Sequence, residues 1–414
     1  MQSPLRTAAA GLIGNVLEWF DYAVYGYFST EIGAQFFPAS MSKYDKSLFT
    51  FAIFWLGFAA RPIGGLVLGV VGDRIGRRAL LTLSIALMGG ATLVIGLLPT
   101  YQSIGIAAPL LLVAMRLVQG FSLGGEFTGS MVYTTELASP LLRGIVASST
   151  AAGTTLGFIL GSLTAYLVNR GLGHEAAADW GWRIPFIGSL VFCVVGFALR
   201  SGIHESEAGQ KAAAERAPIV QSLIADWKPI VQTFGIVAMT NAAYYLAFTF
   251  AVERRKAEDT DFQLANTISL CVVLVFKVLG GWLSDRVGRR RLMIALTFVL
   301  IGTLYVGQRL MLYGDPPIFM VGQLMLGIPL AMALGLQGAM VVEIFPLRTR
   351  VTSMSFAYSI TLALAGGLAP IVATYLIDRV GEPIAPAFYV MAYGVVGLPI
   401  MFGMRETNQR SLDD

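Results

Sequence analysis

The sequence predicts an all-α polytopic membrane protein of twelve transmembrane helices in two six-helix halves, and three observations predict it. Of 414 residues, 56% are apolar and only 13% are charged, against roughly 45–50% and 25% in an ordinary soluble domain. The apolar residues fall in blocks of about twenty, the length a helix needs to cross the hydrocarbon core, separated by short charged stretches. A charged glycine-rich loop near residue 73 returns near residue 285, so the chain reads as a duplication. Runs such as Leu80–Leu98 and Leu292–Val306 are continuous rather than alternating, which excludes a barrel of short strands.

Taken in order, Gly, Pro and charge punctuation places the first span at 8–37. It is expected to stay rather than leave as a signal peptide, because Glu18 and Asp21 interrupt the run after Ala8–Leu12 and nothing resembles a cleavage site. Spans 47–72 and 79–98 flank the loop at Asp73, and spans 105–135 and 144–169 flank Arg143. Span 184–201 follows Arg183 and ends before a polar stretch rich in Glu205, Glu207, Glu215 and Asp226. Spans 228–252 and 262–284 flank Arg254, Arg255 and Lys256; spans 291–312, 317–342, 351–377 and 384–404 are separated at Gly314 with Asp315, Arg348 with Arg350, and Arg379. The organisation is therefore an N-terminal half at 1–201, a linker at 202–227 and a C-terminal half at 228–414.

Twelve spans put both termini on one side. Seventeen lysines and arginines then fall on that side, among them Arg74, Arg77, Arg143, Arg286, Arg289 and Arg350, and nine on the other. The bias makes the terminal side cytoplasmic and the expected location a bacterial inner membrane. Read this way, the net charge of +4 is a matter of topology and not of nucleic-acid binding. Cys193 and Cys271 lie inside apolar runs and His174 and His204 flank helices without ligand spacing, so no disulfide, metal or other cofactor is expected.

The repeat is close. Gly69-Val-Val-Gly-Asp73-Arg74-Ile-Gly76-Arg77-Arg78 returns as Gly281-Trp-Leu-Ser-Asp285-Arg286-Val-Gly288-Arg289-Arg290, with a constant offset of 212; Arg116 and Gly120 pair with Gln323 and Gly327, and Glu136 with Glu343, at an offset of 207. Duplicated halves with a loop between them are how many secondary transporters are built, with the substrate site between the halves near the midplane. Two such loops at equivalent places resemble the major facilitator superfamily. Physically they read as a latch: Asp73 or Asp285 can cap a neighbouring helix N-terminus, while the arginines, with Arg143 and Arg350, can reach Glu136 and Glu343. The resemblance implies that such contacts stabilise an outward-facing state and break as the halves rock.

Ionisable residues inside spans cost about 2.5–3.5 kcal/mol each on insertion scales and mark pathways. Here they cluster. The first span holds Glu18, Asp21 and Tyr25 at i, i+3 and i+7, the second adds Arg61, the fourth adds Arg116, Gln119 and Glu126, and the eighth adds Lys277. At about 1.5 Å rise per residue, Glu18, Arg61 and Glu126 fall at similar depth, with Asp21 and Arg116 somewhat further out, so they are expected to meet. Burial and an adjacent arginine push a carboxylate in opposite directions, so its protonation would follow the state of the pocket, as proton coupling requires. The competing reading, static ion pairs gluing helices, is weakened because buried pairs contribute little net stability. Trp-Phe-Asp21-Tyr-Ala-Val-Tyr and Arg116-x-x-Gln119-Gly120 also look like the sugar–proton symporters of the superfamily, a resemblance that implies proton transfer at Asp21 tuned by Arg116.

A closer resemblance follows from Gly14-Asn15-x-x-Glu18-Trp19-Phe20-Asp21, Arg61-Pro62-Ile-Gly64-Gly65, Gly124-Gly125-Glu126 and Trp180-Gly-Trp182-Arg183-Ile-Pro185-Phe186. These are similar to the metabolite–proton symporters, among them citrate, α-ketoglutarate, dicarboxylate, shikimate and proline/betaine carriers. The resemblance implies a monomer that takes up a small organic acid or zwitterion with protons. Only Glu406–Asp414 follows the last span, which disfavours an osmosensor with a long cytoplasmic tail.

Lys277 has no acidic partner on its own helix and suits a carboxylate. Trp19, Phe20, Tyr22, Tyr25, Tyr244 and Tyr245 would instead offer a cage for a quaternary ammonium, although aromatics at helical spacing more often pack. An organic carboxylate is favoured, with a betaine-like zwitterion next. Asn241 and Gln337 join Tyr244 and Tyr245 as pocket candidates on polarity. Gly153, Gly157, Gly161 and the glycines of 64–72 are assigned to close helix packing. No Ser/His/Asp set or metal cluster appears, so an enzyme is not expected. The segment Gly153-Thr-Thr-Leu-Gly157-Phe lacks the Gly-Pro pair of the superfamily's drug–proton antiporters, which disfavours export.

Overall fold

The computed structural model describes residues 4–75, 77–200, 219–256, 259–408 and 412, which form helices joined by short turns, with no strand among them. Twelve helical units cross the molecule. In the N-terminal half they are α1 (Pro4–Tyr27), α2 (Lys43–Ala59 and Arg61–Ile75), α3 (Arg77–Leu97), α4 (Ala107–Ser122 and Glu126–Leu137), α5 (Arg143–Leu172) and α6 (Arg183–Arg200). In the C-terminal half they are α7 (Trp227–Tyr245 continuing to Arg255), α8 (Asp261–Val287), α9 (Arg289–Tyr313), α10 (Pro316–Glu343), α11 (Arg350–Thr361 continuing to Val380) and α12 (Ala385–Phe402). Among the described residues nine of these are long and apolar enough to span a bilayer, and the bent pair His174–Gly181 with Arg183–Val195 makes a tenth. Exposed Leu190, Val191, Val194 and Val195 on α6 and Val395 and Val396 on α12 turn outward, as lipid-facing surfaces do.

The first span is shorter than the expected 8–37. The helix breaks at Phe28, and a separate helix, Ser29–Phe36, follows. The cause is remote in sequence: the Thr30 amide donates to Glu253 Oε1 at 2.7 Å, and Glu31 turns inward to Lys256. Of the expected linker, residues 202–218 lie outside the described residues, while Ile219–Ala225 is a short helix leading into α7.

Four units are interrupted at depth. Helix α2 breaks at Ala60 and α4 between Ser122 and Glu126, while α7 and α11 pass through π-helical turns at Leu246–Phe250 and Leu362–Gly367. Such breaks free backbone groups and re-aim side chains, which is why they gather at functional sites. Helices α2 and α4 touch backbone to backbone: a Cβ on Gly120 would stand 1.9 Å from the Gly57 carbonyl oxygen. Only glycine permits that approach, and it brings the helices carrying Arg61 and Arg116 together. Gly157 and Gly161 play the same part for α5 against α1.

Candidate functional site

A small cavity lies between the halves, lined from α1, α4 and α5 on one side and α7, α8, α10 and α11 on the other. Lys277 supplies its charge. The ammonium is 2% exposed, donates to the Ala151 carbonyl and the Thr154 hydroxyl at 3.2 Å each, and lies 5.2 Å from the Tyr244 ring centre. Among the described residues no carboxylate pairs with it. Asn241, Tyr244, Tyr245 and Gln337 share this wall, and Gln337 is fixed by Thr240 at 2.7 Å and Tyr358 at 3.3 Å.

The other intramembrane charges split into two groups. Arg61 Nη2 donates to Glu18 Oε1 in a fully buried ion pair behind Trp19 and Tyr22, with the guanidinium 5.7 and 5.9 Å from those rings. Trp19 also lines the cavity, so the pair stands immediately behind its wall. Asp21 and Arg116, expected to meet, are joined through two intermediaries. Arg116 Nη1 donates to Gln119 Oε1 at 3.0 Å, Gln119 Nε2 donates to Thr92 Oγ1 at 2.6 Å, and Thr92 Oγ1 donates to Asp21 Oδ2. Helices α1, α3 and α4 supply this chain, all from the N-terminal half.

Several expected pocket residues therefore stand outside the cavity. Arg61, Arg116, Gln119 and Tyr25 do not line it. Tyr25 donates to the Thr50 carbonyl at 3.2 Å, and its ring lies 4.1 Å from the Arg116 guanidinium. With Tyr22 at 4.9 Å and Phe54 at 5.6 Å it forms an aromatic cage, but one filled by the protein's own cation. Glu18 and Asp21 also diverge: Glu18 meets α2, whereas Asp21 opens onto a separate crevice with Leu17, Phe20, Ile85, Met88, Ser189 and Cys193. The Glu126 side chain lies outside the described residues. Thr92 was missed, since one threonine in the run Leu80–Leu98 carries no periodic or charge signal.

These features meet their counterparts in known proteins. A family model described as Sugar (and other) transporter matches residues 7–217, and the Major Facilitator Superfamily model matches residues 232–411. A citrate-proton symporter of Salmonella typhi is 36% identical over 396 residues, covering 93% of this chain and 90% of that protein. The chain belongs to the major facilitator superfamily. A proline/betaine transporter of Escherichia coli K12 is 32% identical over 435 residues, covering 98% of this chain and 84% of that one. The proton:xylose symporter XylE bound to 6-bromo-6-deoxy-D-glucose superposes with a TM-score of 0.77 at 18% identity, over 99% of this chain and 97% of that one, a likeness of fold.

Within this superfamily fold, contacts join the halves on both sides of the cavity. On the face bearing the repeated loops, Asp285 crosses to the N-terminus of α5, accepting from the Gly144 and Ile145 amides at 2.8 and 3.0 Å. A carboxylate there satisfies two amides that have no partner within the helix and meets the positive end of its dipole. Gly144 and Gly281 make the approach possible, for a Cβ on either would stand 2.4 Å from the other's carbonyl oxygen. Arg289 joins Asp285 at 2.7 Å and Glu343 at 3.3 Å, and Arg350 reaches Glu136 across the halves at 2.8 Å. Arg143, in the first turn of α5, lies near Glu343. Arg286 departs from the expected latch and stacks on Trp282 at 3.9 Å. The side chains of Asp73, Arg74 and Arg77 lie outside the described residues. The tail adds what the sequence did not suggest: Glu406 accepts from the Arg289 amide at 2.7 Å, and Thr407 donates to Glu343 at 2.6 Å.

On the opposite face Lys256 is buried between Glu31, at 2.7 Å, and Glu253, at 2.9 Å, and donates to the Tyr27 carbonyl. Burial lowers this ammonium, but Glu253 and Glu31 outweigh it and hold it above the usual lysine value, so it stays charged at any physiological pH. Tyr27 donates to the Phe248 carbonyl at 2.8 Å beside it. Contacts between the halves thus lie on both faces of the cavity.

Proposed function

We propose that the protein is a secondary active transporter that takes up a small organic carboxylate together with protons by alternating access. The observation that carries the reading is the separation of two chemistries. A cavity between the halves holds one lysine that pairs with no acid among the described residues, and a buried Asp21 stands apart from it, connected to Arg116. In this reading Lys277 takes the substrate carboxylate, while Asn241, Gln337, Tyr244 and Tyr245 orient it. Asp21 carries the proton, Arg116 with Gln119 favours its ionised form, and the Glu18–Arg61 pair senses the cavity through Trp19. Glu126 is assigned to substrate binding and Tyr25 supports Arg116. The similarity to citrate-proton symporters supports this substrate class.

The loop face is the cytoplasmic one, with both termini on it and residues 202–227 tethering halves that move as 1–201 and 228–414. Asp285, Arg289, Glu343, Glu136, Arg350 and Arg143 form its gate, with Asp73, Arg74, Arg77 and Arg286 as the remaining motif positions. The working unit is a monomer, with protons as the coupling ion and no cofactor. A second reading, a betaine-like zwitterion, is favoured by the aromatic lining of Trp19, Phe127, Phe158, Tyr244, Tyr245 and Tyr358, and by similarity to proline/betaine transporters.

The test is uptake by proteoliposomes of labelled citrate, α-ketoglutarate, succinate, shikimate, proline and betaine, with and without an imposed inward pH gradient. Accumulation of one of the acids that collapses with a protonophore is expected. Accumulation indifferent to the gradient would refute coupling, and uptake of betaine alone would select the second reading.

A further inference from the structure

Three features of the buried Asp21 network stand apart from the roles assigned above. Thr92 is fully buried on α3, a helix that contributes nothing to the central cavity. Among the described residues its oxygen joins the acid to the cation, because Asp21 and Arg116 share no direct hydrogen bond there and the path between them runs through Gln119. Its hydroxyl also has two acceptors: Asp21 Oδ2, and the Met88 carbonyl of its own helix at 2.9 Å.

A hydroxyl carries one proton and two lone pairs, so it can match either state of a neighbouring acid. When Asp21 is ionised, Thr92 donates to it while accepting from Gln119. When Asp21 is protonated, the acid donates to the Thr92 oxygen and the hydroxyl proton turns to Met88. No heavy atom need move. We infer that Thr92 is a positioning residue for proton exchange at Asp21: a hydroxyl rotor that keeps both protonation states hydrogen-bonded and links them to Arg116 through Gln119. This rests on the assignment of the proton to Asp21.

The two states do not depend on Thr92 equally. A hydrogen bond to a charged group contributes more than one between neutral groups, so losing the hydroxyl removes more from the ionised acid than from the protonated one. Proton release then becomes harder, and the acid keeps its proton to higher pH. Among the described residues, the charged and titratable groups near Asp21 are Arg116, through the relay on the α4 side, and the Cys193 thiol of α6, which borders the crevice.

The experiment is an infrared pH titration of the reconstituted full-length protein, following the band of a protonated buried carboxyl, with the proton itself as the probe. Asp21→Asn identifies the band by removing it. Thr92→Val, equal in shape and lacking the hydroxyl, is expected to move the midpoint about one to two units upward, and Thr92→Ser to restore it. The pH dependence of uptake should move in the same direction in Thr92→Val and recover in Thr92→Ser. A Thr92→Val midpoint equal to that of the parent protein overturns the rotor while leaving Asp21 in place. If Asp21→Asn removes no band, the assignment of the proton to Asp21 falls instead. Should Thr92→Val not insert, Thr92→Ala, which only removes atoms, takes its place in the same titration.

Discussion

Arg116 in α4 and Gln323 in α10 occupy repeat-equivalent positions, and each holds a buried hydrogen-bond network of very different character. The network of Arg116 contains an acid and a cation and stays within the N-terminal half, in α1, α3 and α4. The network of Gln323 is neutral and crosses the halves. Gln323 donates to the Ala247 carbonyl at 2.9 Å and to Asn266 Oδ1 at 2.8 Å, and Asn266 donates to Tyr27 and Ser162 at 2.9 Å each. Duplication supplied one frame, and the two copies divided the work. On the proposed assignment of the proton to Asp21, the network that titrates stays within one half, and the neutral network is the one that crosses between them. A proton can therefore enter or leave Asp21 without breaking an inter-half contact of the other network.

The largest expected effect comes from removing the acid. Asp21→Asn is expected to reduce accumulation driven by a pH gradient to the level of empty vesicles, while exchange of labelled for unlabelled substrate across the membrane persists. Gradient-driven accumulation by this variant would show that the charged network is structural, and the contrast between the halves would lose its functional meaning. Next is Lys277→Met, which leaves both networks whole and removes the cavity's cation. A lost charged hydrogen bond of about 1.5–3 kcal/mol corresponds to a rise in KM of roughly 10- to 100-fold for a carboxylate. An unchanged KM would place the substrate elsewhere.

Arg116→Gln makes the first half resemble the second. With the cation gone and the relay shortened, the ionised form of Asp21 loses favourable interaction, so the pH dependence of uptake should move upward by about one unit. The sign decides the matter: a downward movement, or none, would mean that Arg116 serves packing against Tyr22, Tyr25 and Phe54 rather than the acid.

How much of this was legible beforehand follows the physics of each signal. The twelve helices were readable because twenty apolar residues have few other uses in a chain, and the halves because a charged loop repeated at a fixed offset. Lys277 stood out because an ammonium in an apolar span is costly unless employed. Thr92, Asn266 and Gln323 did not, since neutral polar side chains are cheap in a helix and gain meaning only from partners on other helices. The break at Phe28 was hidden because Ser29, Thr30 and Glu31 include no proline or glycine to mark the end of a helix. It is imposed by Glu253, more than two hundred residues away, whose own charge reads simply as the end of a span. The division between cavity and proton site was also invisible: spacing places Glu18 and Asp21 on one face, and it is packing that turns Glu18 to α2 and Asp21 to α3.

The smallest effect is expected from the neutral network, and its size matters less than its kind. Asn266→Leu removes the hub that receives Gln323 and donates to Tyr27 and Ser162. Gln323 keeps the Ala247 carbonyl and Tyr27 keeps that of Phe248, so few groups are left without a partner. The loss should be on the order of 1–3 kcal/mol, read as a lowered melting temperature of the purified protein in detergent. The opposite face, where Tyr27 and Ser162 meet α8, should become more accessible to thiol reagents at cysteines introduced nearby. The pH dependence of uptake should not move, because the network contains no group that titrates in the working range. Movement comparable to that of Arg116→Gln would mean that the two networks are coupled through α1, where Tyr27 stands six residues beyond Asp21, and that the halves do not divide holding from titrating after all.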